Sequence, residues 1–202
     1  MLIFLTALAV SMCCKGQRNV FLITDGAAID GLHAPWDGLN DDTRFRCFTD
    51  QDCFYFFFEV NEPTLTMTLP FTGERDVDPE DRVEVFFSPR EEMDIYYCAE
   101  IDPAGNIMDY KAKYYREFDY DWDFDTMEVL TKIEGDRYIV AGRVSRKELG
   151  DLGIDLEKGF RMGVFRADFR PDGSVNWYSA VPTADKSPDF HKPDLLFSAA
   201  LR

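Results

Sequence analysis

Hydrophobic and polar positions alternate in short runs along this chain, and turn residues separate the runs. "TRFRCF" (43–48) and "CFYFFFEV" (53–60) flank "TDQD" and predict a β-hairpin. "RVEVFFS" (82–88) follows the acidic turn "DVDPED". "IYYCAEI" (95–101) and "NIMDYKAKYY" (106–115) are joined by "DPAG", where Pro103 and Gly105 supply turn geometry. "EVLTKIE" (128–134) and "RYIVAGRV" (137–144) meet at "EGD", and "FRMGVFRADF" (160–169) and "SVNWYSAV" (174–181) meet at "RPDG". "LLFSAAL" (195–201) reads as a closing strand. The helical signal is confined to "SRKELGDLGI" (145–154), with Ser145 as N-cap and Glu148 at the capping-box position. Roughly ten short strands, tight turns and very little helix predict an all-β, antiparallel β-sandwich of jelly-roll or immunoglobulin-like type.

One run is unusual. From Glu117 to Asp125 acids and aromatics alternate without a break. On a straight strand the acids share one face, while Phe118, Tyr120, Trp122 and Phe124 share the other. Three readings stay open. The aromatic face lies on the sandwich; or Trp122 or Tyr120 stacks a ligand; or Asp119, Asp121, Asp123 and Asp125 hold Ca²⁺. Calcium takes six to eight oxygens, so a metal needs these carboxylates gathered by a curved loop.

Size and charge narrow the classes. The 202 residues suit one domain, and 46% hydrophobic content provides a core. A net charge of −16 argues against nucleic acid, whose phosphates need a basic patch. Residues 1–18 contain an apolar run, Leu2 to Met12, of signal-peptide length, followed by Cys13–Cys14. This predicts a signal peptide or lipoprotein leader before a single domain at 19–202. The expected location is exported: periplasmic, outer-membrane lipoprotein or extracellular. Cys47, Cys53 and Cys98 are expected as packing residues, with a Cys47–Cys53 bridge dependent on hairpin register.

The order of several fragments resembles the family 9 carbohydrate-binding modules and their DOMON-like relatives. "IDGLHAPW" (29–36) is similar to an opening signature, with Trp36 expected in the core. "TRFRCFTDQDCFYFFFEV" is similar to the first hairpin, and "EDRVEVFFSP" (80–89) to the acidic "D-x-V-E" strand. "YYCAEIDPAGNIMD", "GDRYIVAGRVSRKEL", "FRMGVFRADF" and "NWYSAVPTADKSPDFHKPDLLFSAALR" follow in the family's order.

The resemblance implies a sugar ring stacked on aromatics and hydrogen bonded by charged side chains. It places Glu84 at the hydroxyl-binding carboxylate and Phe190 at one stacking wall. Glu100 stands near a position where the family carries an Arg. The second wall precedes "D-x-V-E" in the family; "RDVDPE" here holds no aromatic, which leaves Tyr120 or Trp122 as its replacement. Arg166 holds the family's "R" position on its strand. His191 stands beside Phe190 as a hydroxyl partner or a loop brace, and Trp177 is core or a sugar platform. Structural calcium occurs in some family members; no other cofactor is required.

The expected function is non-catalytic binding of an oligo- or polysaccharide, in concert with separately encoded glycoside hydrolases. No catalytic motif appears, and two histidines nearly exclude His-based triads and zinc sites. The alternatives are a glycoside hydrolase using paired carboxylates and a DOMON-type haem domain using Met67, Met93 or Met108 with His191 or His33.

Overall fold

The computed structural model describes residues 42–200. The expected leader, the Cys13–Cys14 pair and the "IDGLHAPW" segment with His33 and Trp36 lie outside the described residues.

The chain forms two antiparallel sheets. Strands β1 (Thr43–Thr49), β2 (Cys53–Asn61), β7 (Glu128–Glu134) and β8 (Arg137–Ser145) make a four-stranded sheet in the order β1-β2-β8-β7. The larger sheet holds β3 (Arg82–Ser88), β4 (Tyr96–Ile101), β5 (Ile107–Lys113), β6 (Glu117–Asp119), β9 (Phe160–Phe169) and β10 (Val175–Ser179) in the order β10-β9-β3-β4-β5-β6. A short β11 (Phe197–Ala199) also pairs with β9. The α-helix α1 (Arg146–Asp151) follows β8 directly. The fold is the all-β sandwich that the alternation predicts.

Alternation decides which face each residue serves. Phe54, Phe56, Phe58 and Val60 of β2 join Val83, Val85 and Phe87 of β3 in the core between the sheets. Fully burying one such ring stabilises by about 1.5–3 kcal/mol. The intervening residues of the larger sheet form a second apolar layer on its outer side, including Phe86, Tyr96, Cys98, Tyr110 and Phe165. Loop residues Phe190, Leu195 and Leu196 cover that layer. The larger sheet is therefore apolar on both faces, which explains why its central strands read as hydrophobic on both sides.

The hairpin register answers the cysteine question. Thr49 pairs with Phe54 at the hairpin end, and Cys47 opposes Phe56 in the core. Cys53 has the opposite parity on β2, so the two thiols point to different faces. Cys47, Cys53 and Cys98 are all free and buried.

The acidic–aromatic run departs from the straight-strand expectation. Only Glu117–Asp119 is strand; the chain then turns around the edge of the larger sheet. Phe118 and Tyr120 stay on the outer side beside Tyr110, at 5.5 and 5.0 Å between ring centroids. Trp122 and Phe124 cross to the inner side and pack on Tyr97, at 5.0 and 6.4 Å. Asp109 anchors the crossing by accepting the Phe124 N–H at 2.6 Å. Glu148 accepts the Asp125 and Thr126 N–H groups at 2.7 and 2.9 Å. The predicted capping box is thus half used: Ser145 Oγ accepts the Glu148 N–H at 3.1 Å, while the Glu148 carboxylate serves the turn.

Candidate functional site

The outer layer of the larger sheet gathers most of the predicted site residues. In β3, Arg82, Glu84 and Phe86 alternate outward; in β4, Tyr96, Cys98 and Glu100 do the same, and Glu84 lies directly opposite Glu100. Arg82 Nε sits 2.9 Å from Glu84 Oε1 and 2.6 Å from Glu100 Oε2. Its single Nε–H is bonded to Glu84, so Glu100 Oε2 keeps an ion-pair contact without a hydrogen bond. Tyr110 donates its hydroxyl to Glu100 Oε1 at 2.6 Å, and Arg82 Nη1 donates to the Asp78 carbonyl at 2.6 Å.

The two carboxylates are 2% and 4% exposed. Burial, with the adjacent Glu100 charge, pushes Glu84 up to about 8 against the pull of Arg82. Burial also raises Glu100, while Arg82 and Tyr110 pull it back. Burial therefore opposes full ionisation of both carboxylates beside the single Arg82 guanidinium.

Rings surround this charged centre. The Arg82 guanidinium lies 5.6 Å from the ring centroids of both Phe169 and Trp177. Trp177 meets Phe190 edge-on at 5.6 Å, and Phe190 stacks on Phe165 at 4.2 Å and 11°. Gly163 permits that stack. A Cβ there would come within 2.5 Å of the Phe165 ring and 3.2 Å of Phe86. On the other side the Arg75 guanidinium lies 4.3 Å over the Tyr120 ring, which is 39% exposed.

His191 packs between Phe86 at 5.2 Å and Phe118 at 4.8 Å, with Nδ1 3.1 Å from the Tyr96 hydroxyl. Burial lowers its pKa to about 4, so the imidazole is neutral near pH 7. Met93 and Met108 belong to the same layer. The haem alternative gains no support from this packing, because rings and a hydroxyl already occupy the surroundings of the imidazole.

Glu84, Glu100, Tyr120, Trp177, Phe190 and His191 thus share one face. Arg166 does not. It points between the sheets, 1% exposed, and pairs with Glu62 at 2.6 Å and Thr43 Oγ1 at 2.9 Å. Parity explains the correction: Arg166 opposes Val83, an inward residue, whereas Ala167 opposes Arg82. Trp122 is on the inner side for the reason given above, which leaves Tyr120 as the one of the two on the outer face. The expected calcium ligands also separate. Asp119 pairs with Lys111 at 2.9 Å. Among the described residues, Glu74, Asp109 and Asp123 are the acids that converge, with oxygens within 4.8 Å of one another. Three oxygens are half or less of what calcium takes.

Arg82 and Tyr110 join this cluster although sequence reasoning did not single them out. Their signal was period-two parity: Arg82 shares a face with Glu84, and Tyr110 opposes Cys98 two residues before Glu100. Two open depressions in the described surface, around Arg146 and Ile154 and around Arg90 and Arg161, include none of these rings.

No protein-family model matches the sequence, and no curated protein matches it. Solved structures do match. A protein from Bacteroides uniformis ATCC 8492 assigned as carbohydrate-binding is similar with a TM-score of 0.64 at 15% identity, over 77% of this chain and 76% of that one. A family 9 carbohydrate-binding module from Caldicellulosiruptor kristjanssonii in complex with glucose is similar with a TM-score of 0.50 at 14% identity, over 85% and 79%. The same kind of module from that organism in complex with cellotriose gives 0.51 at 13% identity, over 79% and 75%. The fold of this chain is therefore the sandwich of the family 9 carbohydrate-binding modules.

Proposed function

We propose that this chain is an exported, non-catalytic carbohydrate-binding module that takes an uncharged oligo- or polysaccharide on the outer face of its larger sheet. The observation that carries the reading is the convergence of Glu84, Glu100 and Arg82 with Trp177, Phe190 and Tyr120 on one face. Two similar structures of the same fold hold glucose and cellotriose. A pyranose offers an apolar C–H face to a ring and hydroxyls to charged groups. Trp177 and Tyr120 are the stacking surfaces in this reading, because Phe190 is committed to Phe165 and braces Trp177. Arg82 is the hydroxyl donor, and Glu84 and Glu100 hold it in place. His191 acts as a brace through Tyr96.

Separately encoded glycoside hydrolases are the proposed functional partners. Calcium, where it binds, is assigned to Glu74, Asp109 and Asp123 as a brace of the 120–127 turn.

Glycan-array screening followed by calorimetry with glucose and cellotriose tests the reading. Saturable binding that Trp177→Ala weakens and Arg82→Met abolishes is the expected result. No binding to any neutral glycan ends it, as does release of reducing sugar from a polysaccharide, which would make the chain a hydrolase.

A further inference from the structure

The β5–β6 turn carries two tyrosines that the fold leaves in the open. Tyr114 and Tyr115 are 49% and 50% exposed and belong to neither core cluster. Single exposed apolar residues are ordinary. Two adjacent rings on a firmly held turn are a built surface. The Tyr115 hydroxyl donates to Asp189 Oδ2 at 2.5 Å, Arg116 Nη2 donates to Asp189 Oδ1 at 2.8 Å, and the Tyr114 N–H donates to the Met93 carbonyl at 2.8 Å. Arg116 takes φ 62°, a left-handed conformation uncommon outside glycine. Such backbone persists where surrounding contacts over-determine it, and it concentrates at ligand clamps.

The turn is continuous with the proposed sugar face. Asp189 directly precedes Phe190. The Arg116 guanidinium lies 5.7 Å from the Tyr115 ring centroid and 6.0 Å from that of Phe118, which in turn lies 5.4 Å from Tyr120. A path of rings therefore runs along the sheet edge from Tyr120 to Tyr115 and Tyr114. Tyrosine joins an apolar ring face to a polar tip, which suits a pyranose. A surface already ordered by Asp189 loses little further freedom on binding. Exposed Glu117, Asp119 and Asp121 line the same edge and disfavour an acidic chain.

We infer that Tyr115, with Tyr114, forms a second stacking subsite, so that the ligand is an extended uncharged glycan reaching from the central face along β6. This rests on the sugar-binding reading and adds the length of the ligand.

Calorimetry of the full chain against mono- to hexasaccharide ladders of β-1,4-linked glucan, xylan, mannan and chitin separates the two. In any ladder that binds, the hexasaccharide is expected to bind about tenfold more tightly than the monosaccharide. The double variant Tyr114→Ala/Tyr115→Ala loses that gain and keeps the short-sugar affinity, with only a small fall in melting temperature from the lost Tyr115–Asp189 hydrogen bond, because both rings are exposed. Tyr115→Phe, which retains the ring, keeps the gain. Equal affinity at every length, or a gain that survives the double variant, overturns the inference and leaves the sugar reading standing. Failure of every ladder to bind removes both.

Discussion

The larger sheet carries two buried clusters of similar chemistry on its two faces. Inside, Arg166 pairs with Glu62 at 2.6 Å and lies 4.0 Å from Asp168. Outside, Arg82 lies between Glu84 and Glu100. Each sets a buried guanidinium beside two buried carboxylates; in the inner one the partly exposed Arg170 also reaches Asp168 and Glu62, at 2.5 and 3.6 Å. The inner cluster is closed by both sheets and by Thr43; its partners are the protein itself. The outer cluster lies among Trp177, Phe169 and Phe190. The lesson is that role follows the face. A single step of strand parity separates a structural ion pair from a candidate binding centre.

The largest effect is expected where the inner cluster loses its cation. Arg166→Met leaves Glu62 with only the partly exposed Arg170 at 3.6 Å; breaking a buried pair costs about 3–5 kcal/mol, and this one is expected at the low end of that range. Urea unfolding measures it; a loss under 1 kcal/mol would mean that the inner cluster is not structural. The two tryptophans sharpen the same contrast. Trp122→Ala removes packing on Tyr97 and Phe124 and is expected to cost about 2 kcal/mol, below the range for a fully buried ring because Trp122 is partly exposed. Sugar affinity should not move. Trp177→Ala is the converse: about a tenfold loss of affinity, about 1.4 kcal/mol, with a smaller change in stability. If both variants lose affinity equally, the division into two faces fails.

The smallest effect is a pH slope. In the folded chain Glu84 keeps its proton up to about 8, whereas its ordinary value is 4.5. The folded state therefore binds more protons across that window, and stability falls as pH rises through it. Asp81 and Asp109, raised to about 6 by burial, act in the same direction but have finished titrating by pH 7. His191 acts oppositely: its depressed value makes stability fall as pH drops from 6.5 towards 4. Between pH 7 and 8 Glu84 dominates among the groups with set values. Glu84→Gln, an isostere of the neutral acid, is expected to flatten the fall in melting temperature over that interval. An unchanged slope would show that Glu84 is ionised throughout.

Much of the fold was legible because alternation and turns are local. The β1–β2, β4–β5, β7–β8 and β9–β10 hairpins all appear where the runs and turn residues put them. The acidic–aromatic run lays its rings on the sandwich, but it is an edge strand only to Asp119, because Asp109 and Glu148 pull the rest around the edge from distant positions. Glu84 and Phe190 were singled out through resemblance, and strand pairing and the last loop bring them to the same face. Arg166 was misplaced because matching a position in a motif does not say which face that position serves.

The amino-acid sequence by itself determined the strand-rich class, the antiparallel hairpins, the negative charge and the supply of rings and carboxylates, since each depends on neighbours within a few residues. Only the tertiary structure decided that Arg82, Glu84 and Glu100 meet, that Tyr120 and Trp122 part company, and that Arg166 is sealed inside. Those outcomes depend on the pairing of strands far apart in the chain, and pairing register assigns every side chain to the core or to the outer face.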